Sequence, residues 1–211
     1  VNQAPVLIEV KPGAQPIRQK QYPVPREALE GIQVHLRRLK AFGILVPCQS
    51  PWNTPSSLSL SQGTKDYRSV QDLRLVNQAT VTLHPTVPNP YTLLGLHLAP
   101  ESQKLFAFQW EAPESGVTSQ YTWTRLPQGF KNSPTIFGEA LARDLQKFPA
   151  KDLGCILLLY MDDLLLGHST AVRCAKGMDA LLQHLEDCGY KVSKKKAQIC
   201  RQQVCYLGFT I

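Results

Sequence analysis

Two apolar runs, Cys155 to Leu159 and Leu164 to Leu166, flank Tyr160-Met161-Asp162-Asp163. Runs this short and this apolar are strands of a sheet interior, and so short a connection between them makes a β-hairpin. The hairpin is therefore expected to be anchored in a core, with two adjacent carboxylates at its tip. Asp is a favoured turn residue, so an Asp-Asp tip on its own is an ordinary turn. It is also a suitable mount for a divalent cation, because Mg²⁺ takes a few well-fixed oxygen ligands together with substrate phosphates. Which of the two it is depends on the neighbouring motifs.

A chain of 211 residues, 43% of them hydrophobic, can bury a real core as one large domain or two small ones. Lys and Arg outnumber Asp and Glu by 23 to 16, a formal charge of +7. That excess suits a polyanionic partner, nucleic acid first. No signal peptide is present and no apolar run is long enough to cross a bilayer, so no membrane partner is expected. The six cysteines form no CxxC pair, and Cys200, Cys205 and His184 match no common zinc spacing. They read as reduced thiols of an intracellular, cytoplasmic protein. The first residue is Val1 and not methionine, which fits a processed product or a fragment.

Residues 1–24 are rich in Pro and Gln and should run extended. Leu29, Ile32, Leu36 and Leu39 fall at helical spacing between Pro25 and Gly43. Residues 44–65 are loop-rich, Tyr67 to Gln71 reads as a strand and Asp72 to Gln78 as a short helix. Leu105 to Trp110 and Tyr121 to Leu126 are predicted to pair as a hairpin. The loop Leu126-Pro127-Gln128-Gly129-Phe130 precedes a helix capped by Asn132 or Ser133, with Pro134 in its first turn. Thr170 to Cys188 is predicted helical, burying Val172, Leu181, Leu182 and Leu185 and closed by Gly189. A strand from Tyr190 to Ser193, a basic run Lys194-Lys195-Lys196 and a mostly apolar stretch from Val204 to Ile211 complete the chain.

Several of these pieces, in this order, resemble the palm of a retroviral reverse transcriptase of the gammaretrovirus type, including copies in endogenous proviruses. They are Leu126 to Pro134, Tyr160-Met161-Asp162-Asp163, Gly189-Tyr190 followed by Lys194 to Gln198, and Tyr206-Leu207-Gly208. Gly43 to Pro55, Asp66-Tyr67-Arg68 and Val70 to Arg74 resemble its fingers. The resemblance implies an α+β fold, with a fingers-like region at 1–90 and a palm-like region at 91–211. That palm would be a mostly antiparallel sheet with helices on one face. It implies RNA-directed DNA polymerase chemistry, in which two Mg²⁺ (or Mn²⁺) ions assist attack of a primer hydroxyl on a dNTP. By resemblance, Asp162 and Asp163 hold metal, and Lys196, or else Lys195, protonates the leaving pyrophosphate. Arg68, Gln128, Gly129 and Met161 would bind the nucleotide, and Tyr206, Leu207 and Gly208 would grip the primer. The implied partners are an RNA or DNA template-primer and a dNTP; nothing is implied about oligomeric state.

Two departures stand out. The family carries a further metal-binding aspartate on a strand before Leu126, in a segment of the form Asp-x-x-x-x-aromatic. Here Tyr91 to Leu96 runs straight into His97 to Ser102, as though that strand were deleted. The family also has a lysine at about Ser61 in the fingers loop. By resemblance, the thumb, connection and RNase H regions of the family are expected to be absent. The expectation is a reverse transcriptase fragment with weak or no polymerase activity. The alternative is a nucleic-acid-binding relic of an endogenous retrovirus with no enzymatic role.

Overall fold

The computed structural model describes residues 2–60, 67–83, 95–160, 163–194 and 196–211, with backbone alone at 26, 27, 57–60 and 67–69. Helix α1 (Arg26–Ala41) begins after Pro25 and stops where Gly43 takes a φ of +63°. Its Ile32, Leu36 and Leu39 are buried with Leu45, Phe108 and Trp110. They pack on a three-stranded antiparallel sheet in which β5 (Thr118–Trp123) lies between β1 (Leu45–Pro47) and β4 (Phe108–Glu111). Lys40 caps this packing at the surface, its Nζ donating to Tyr121 Oη at 3.0 Å. A separate hairpin pairs β2 (Ser56–Leu60) with β3 (Tyr67–Gln71).

A larger core lies beneath the short helix α2 (Arg74–Ala79), the four-residue turn of helix α3 (Pro100–Gln103), α4 (Ser133–Leu145) and α5 (Ala171–Asp187). It draws residues from Ile8 to Tyr190, so the two regions expected at 1–90 and 91–211 share it. The N-terminal segment is extended, as its prolines predict. It is stitched to the rest by isolated bridges, among them Val6 with Leu98 and Val10 with Thr80.

Several local expectations give way to packing. β1 and β2 form inside the stretch read as loop, β1 because β5, distant in sequence, pairs with it, and β2 as the first arm of a hairpin with β3. Residues Tyr190 to Ser193 form no strand; Tyr190 is instead buried as a side chain, and Val192 is exposed. Val172 is 70% exposed, because the first turn of α5 overhangs the core. Asn132 precedes α4 but makes no side-chain cap. Its amide donates to Val81 O at 2.8 Å and accepts from Leu83 N at 3.1 Å.

Tyr190 belongs to a polar hub centred on the buried Asp144 at the end of α4. Asp144 Oδ2 accepts from Tyr190 Oη at 2.9 Å and from Gln3 Nε2 at 2.7 Å, and Oδ1 accepts from Lys147 Nζ at 3.2 Å. Burial alone would raise this carboxyl, but the bonds from Gln3, Tyr190 and Lys147 outweigh it and hold it below the usual range. A lowered folded-state pKa means the contribution is complete above the unfolded value, about 3.9, and disappears as pH falls through the folded value. Asp144→Asn should cost about 2 kcal/mol at neutral pH. Urea denaturation should show the gap between wild type and variant closing as pH is taken below about 4.

Candidate catalytic hairpin and nucleic-acid cleft

The hairpin expected around Asp162 and Asp163 forms. β6 (Ile156–Tyr160) pairs antiparallel with β7 (Asp163–Gly167), from Ile156 opposite Gly167 to Tyr160 opposite Asp163. Cross-strand partners share a face, so the strands divide into two sets. Leu157, Leu159, Leu164 and Leu166 pack against the large core. Ile156, Leu158, Tyr160 and Asp163 face solvent, the first three at 67, 48 and 51% exposure. The expectation of strands inside a sheet is therefore corrected. Among the described residues β6 and β7 form a two-stranded sheet with a core on one side only. A run of leucines does not reveal whether one face or two will be covered; that depends on what else is available to cover them.

The base of the hairpin is set by α5. Gly177 lies so close to the start of β6 that a Cβ there would meet Cys155 Sγ at 2.4 Å. Only glycine allows this approach of helix to strand.

Asp163 is the first residue of β7, exposed and on the same face as Tyr160. Met161 and Asp162 lie outside the described residues, as do Ser61 and 84–94. Among the described residues no three His, Cys, Asp or Glu side chains gather to hold a metal. The sequence restricts the donors further: residues 73–100 contain no Asp or Glu. Nor do residues 95–99 supply a strand to the hairpin. They run between Val6 and the end of β5, with Leu98 N donating to Thr124 O at 2.9 Å and Leu126 N to Leu96 O at 3.0 Å. Glu101, nearest this point, is exposed on α3.

The Gln128-Gly129 loop is held from both sides. Leu126 and Phe130 are fully buried, while Gln128 and Gly129 are exposed between them. Gly129 has a φ of +87°, which a side chain would resist. Asn77 on α2 clamps the loop twice, donating to Gly129 O and accepting from Lys131 N, both at 2.9 Å. Sequence reasoning did not single out Asn77. Neither did it single out the buried Gln71, whose amide donates to Thr54 Oγ1 at 2.6 Å and Phe106 O at 3.0 Å and accepts from Trp123 Nε1 at 2.8 Å. No spacing rule in the sequence marks such residues, because their partners lie far away along the chain.

An open cleft of about 530 Å³ adjoins this loop, lined among others by Tyr22, Asp72, Arg74, Asn77 and Gly129. Asp72 fixes the exposed Arg74 guanidinium, accepting from Nε at 2.9 Å and from Nη2 at 2.6 Å. Tyr22 Oη donates to the same carboxylate at 2.9 Å. The hydrogen bond from Arg74 holds the Asp72 carboxyl well below the usual range against the opposing effect of burial. The result is a preoriented guanidinium with N–H groups still directed outward, suited to phosphate oxygens. Arg68, expected to clamp a triphosphate, lies on β3 opposite Ser59; its side chain is outside the described atoms.

Lys196 is exposed in the turn after Ser193. The Tyr206 to Gly208 motif forms the tip of a small hairpin, β8 (Cys205–Tyr206) with β9 (Phe209–Thr210). Leu207 and Gly208 have φ of +54° and +82°. That is the pattern of a type I′ turn, unusual with leucine at its first central position. Leu207 is 43% exposed, so it is not a core residue.

Comparison with known proteins agrees with this architecture. The reverse transcriptase (RNA-dependent DNA polymerase) family profile matches residues 95–211. The chain belongs to that family. It is 52% identical to the Gag-Pol polyprotein of Feline leukemia virus over 229 residues, covering 99% of this chain and 13% of that polyprotein. It is 50% identical to the Pol polyprotein of Feline endogenous virus ECE1, of which it spans 22%, and 51% identical to the Koala retrovirus Gag-Pol polyprotein, of which it spans 14%. The chain is thus similar over nearly its whole length to a fragment of the reverse transcriptase region of gammaretroviral Pol. The 229-residue match exceeds the 211 residues of this chain, so the feline relative contains residues with no counterpart here. Among solved structures, a foamy viral protease-reverse transcriptase in complex with double-stranded DNA superposes with a TM-score of 0.79 at 28% identity, over 100% of this chain and 38% of the other. The Prototype Foamy Virus protease-reverse transcriptase gives 0.75 at 30% identity, over 100% of this chain and 29% of the other.

The approach of α5 to β6 can be checked directly. Alanine is the better helix former by about 1 kcal/mol. Gly177→Ala should nonetheless destabilise by about 1–3 kcal/mol, through overpacking against Cys155. A urea-denaturation cycle with Cys155→Ala should show strong non-additivity, the double variant regaining part of the loss.

Proposed function

We propose that this chain is a reverse transcriptase fragment that keeps a template-primer binding surface and has lost most or all polymerase chemistry. Its fingers-like residues 1–90 and palm-like residues 91–211 would act as one body around a shared core. The observation that carries the reading is the donor set. A two-ion phosphoryl transfer needs carboxylates converging from more than one strand. Asp162 and Asp163 are consecutive on one hairpin, and residues 73–100 offer no carboxylate to meet them. These residues do not fit a two-ion Mg²⁺ or Mn²⁺ centre. The roles suggested by resemblance for Lys196, Arg68, Gln128, Gly129 and Met161 would then be binding roles at most.

Support for binding comes from the +7 charge and from the cleft with its fixed Arg74 beside the Gln128-Gly129 loop. The foamy viral relative whose structure was solved on double-stranded DNA shares this fold. Phosphate contacts of this kind are independent of sequence and strongly salt-dependent. Tyr206, Leu207 and Gly208 at an exposed hairpin tip suit contact with a primer strand.

Fluorescence anisotropy with a labelled RNA–DNA template-primer should show binding at low salt that weakens steeply as salt rises. Arg74→Ala should weaken binding to all sequences alike and lower the salt slope by about one. No binding at low salt would remove the binding half of the proposal. Primer extension with Mg²⁺ and then Mn²⁺ should stay at the level of Asp162→Asn. Extension clearly above that variant would show that the chemistry survives.

A further inference from the structure

Two sulfur atoms meet where the C-terminal segment touches α5, and a third lies one helical turn away. Cys174 and Met178 are one helical turn apart and so share a face of α5. Cys200, on the segment leading to β8, directs its thiol to Met178 Sδ at 3.9 Å. Cys174, one turn before Met178 on that face, therefore stands beside the segment that carries Cys200. Cys200 is exposed and Cys174 half-buried, so a reagent in solution reaches Cys200 first. Its backbone has a φ of +46°, a region that residues other than glycine seldom occupy. The chain turns sharply at the residue whose sulfur is brought to the helix. All six cysteines are free thiols here.

We propose that Cys174 and Cys200 form a reversible disulfide when the chain meets a small-molecule disulfide oxidant, covalently fastening the C-terminal hairpin to α5. The Cys200 thiolate attacks one sulfur of oxidised glutathione, forming a mixed disulfide and releasing one glutathione thiolate. The Cys174 thiolate then attacks the Cys200 sulfur and releases the second. Two protein thiols are oxidised, the glutathione disulfide is reduced to two thiols, and the two protons pass to the released glutathiones. The exposed β8–β9 hairpin carries Tyr206-Leu207-Gly208, and residues 201–203 before it are exposed as well. A cross-link at Cys200 therefore restricts where this tip can stand relative to the β6–β7 hairpin, which packs beneath the same helix. The other sulfur nearest the helix interior, Cys155, is buried against Gly177 and is not reached.

The test uses the full chain, incubated with oxidised glutathione, alkylated and digested with trypsin. The expected product is the peptide Cys174-Ala175-Lys176 linked to Ala197-Gln198-Ile199-Cys200-Arg201, found in the monomer fraction and lost on reduction. Oxidation should raise the thermal midpoint by about 5 °C. Cys174→Ser and Cys200→Ser should each abolish that rise. A stable glutathione adduct on Cys200, a link to any other cysteine, a link between two chains, or unreacted Cys174 and Cys200 would each overturn the proposal.

Discussion

The stacking of Phe106 against Phe130 joins the parts on which the cleft depends. The rings meet edge to face at 5.2 Å, and both are essentially excluded from water. Such a pair contributes about 0.5–1.5 kcal/mol beyond the burial of its surface. Its position matters more than its strength. The Phe106 carbonyl accepts from the buried Gln71 amide, which ends β3, and Phe130 ends the Gln128-Gly129 loop and leads into α4. One contact therefore fixes the strand that carries Arg68, the loop that presents Gly129, and the helix behind both. Asn77 adds the polar clamp that keeps the loop backbone in place.

The β6–β7 hairpin has a different status. Its inner leucines are held by the core, and its outer face and both flanks are open among the described residues. A sheet flank normally is paired, covered or protected by charge. Residues 95–99, near the start of the palm-like region, are committed to Val6 and to the end of β5, so they cannot also serve the hairpin. The hairpin persists because one face is enough to anchor it. Family membership and catalytic competence rest on different residues. The first needs the ordered motifs, which this chain has. The second needs a carboxylate converging from another strand, and residues 73–100 contain none.

Much of the architecture was legible in local pattern. The α1 stripe, the β4–β5 hairpin, α4 after its Asn132-Ser133-Pro134 start and α5 before Gly189 all follow from spacing and punctuation. The pairing of β6 with β7 follows from the two apolar runs. What pattern missed was set by distant partners. β1 needed a strand elsewhere in the chain, and Tyr190 gave up a strand to bury its ring and reach Asp144. The Asn132 side chain left its cap position to bond residues 81 and 83.

The sequence by itself determined the longer helices, the β4–β5 and β6–β7 hairpins, the family and the lack of any carboxylate between residues 73 and 100, because these depend on residue order and type alone. The tertiary structure decided which face of the Asp-Asp hairpin is buried, which residues brace the Gln128-Gly129 loop, and that Cys200 stands beside Cys174. Those outcomes depend on which surfaces compete to cover one another. That competition is settled only when segments far apart in the chain are brought into contact.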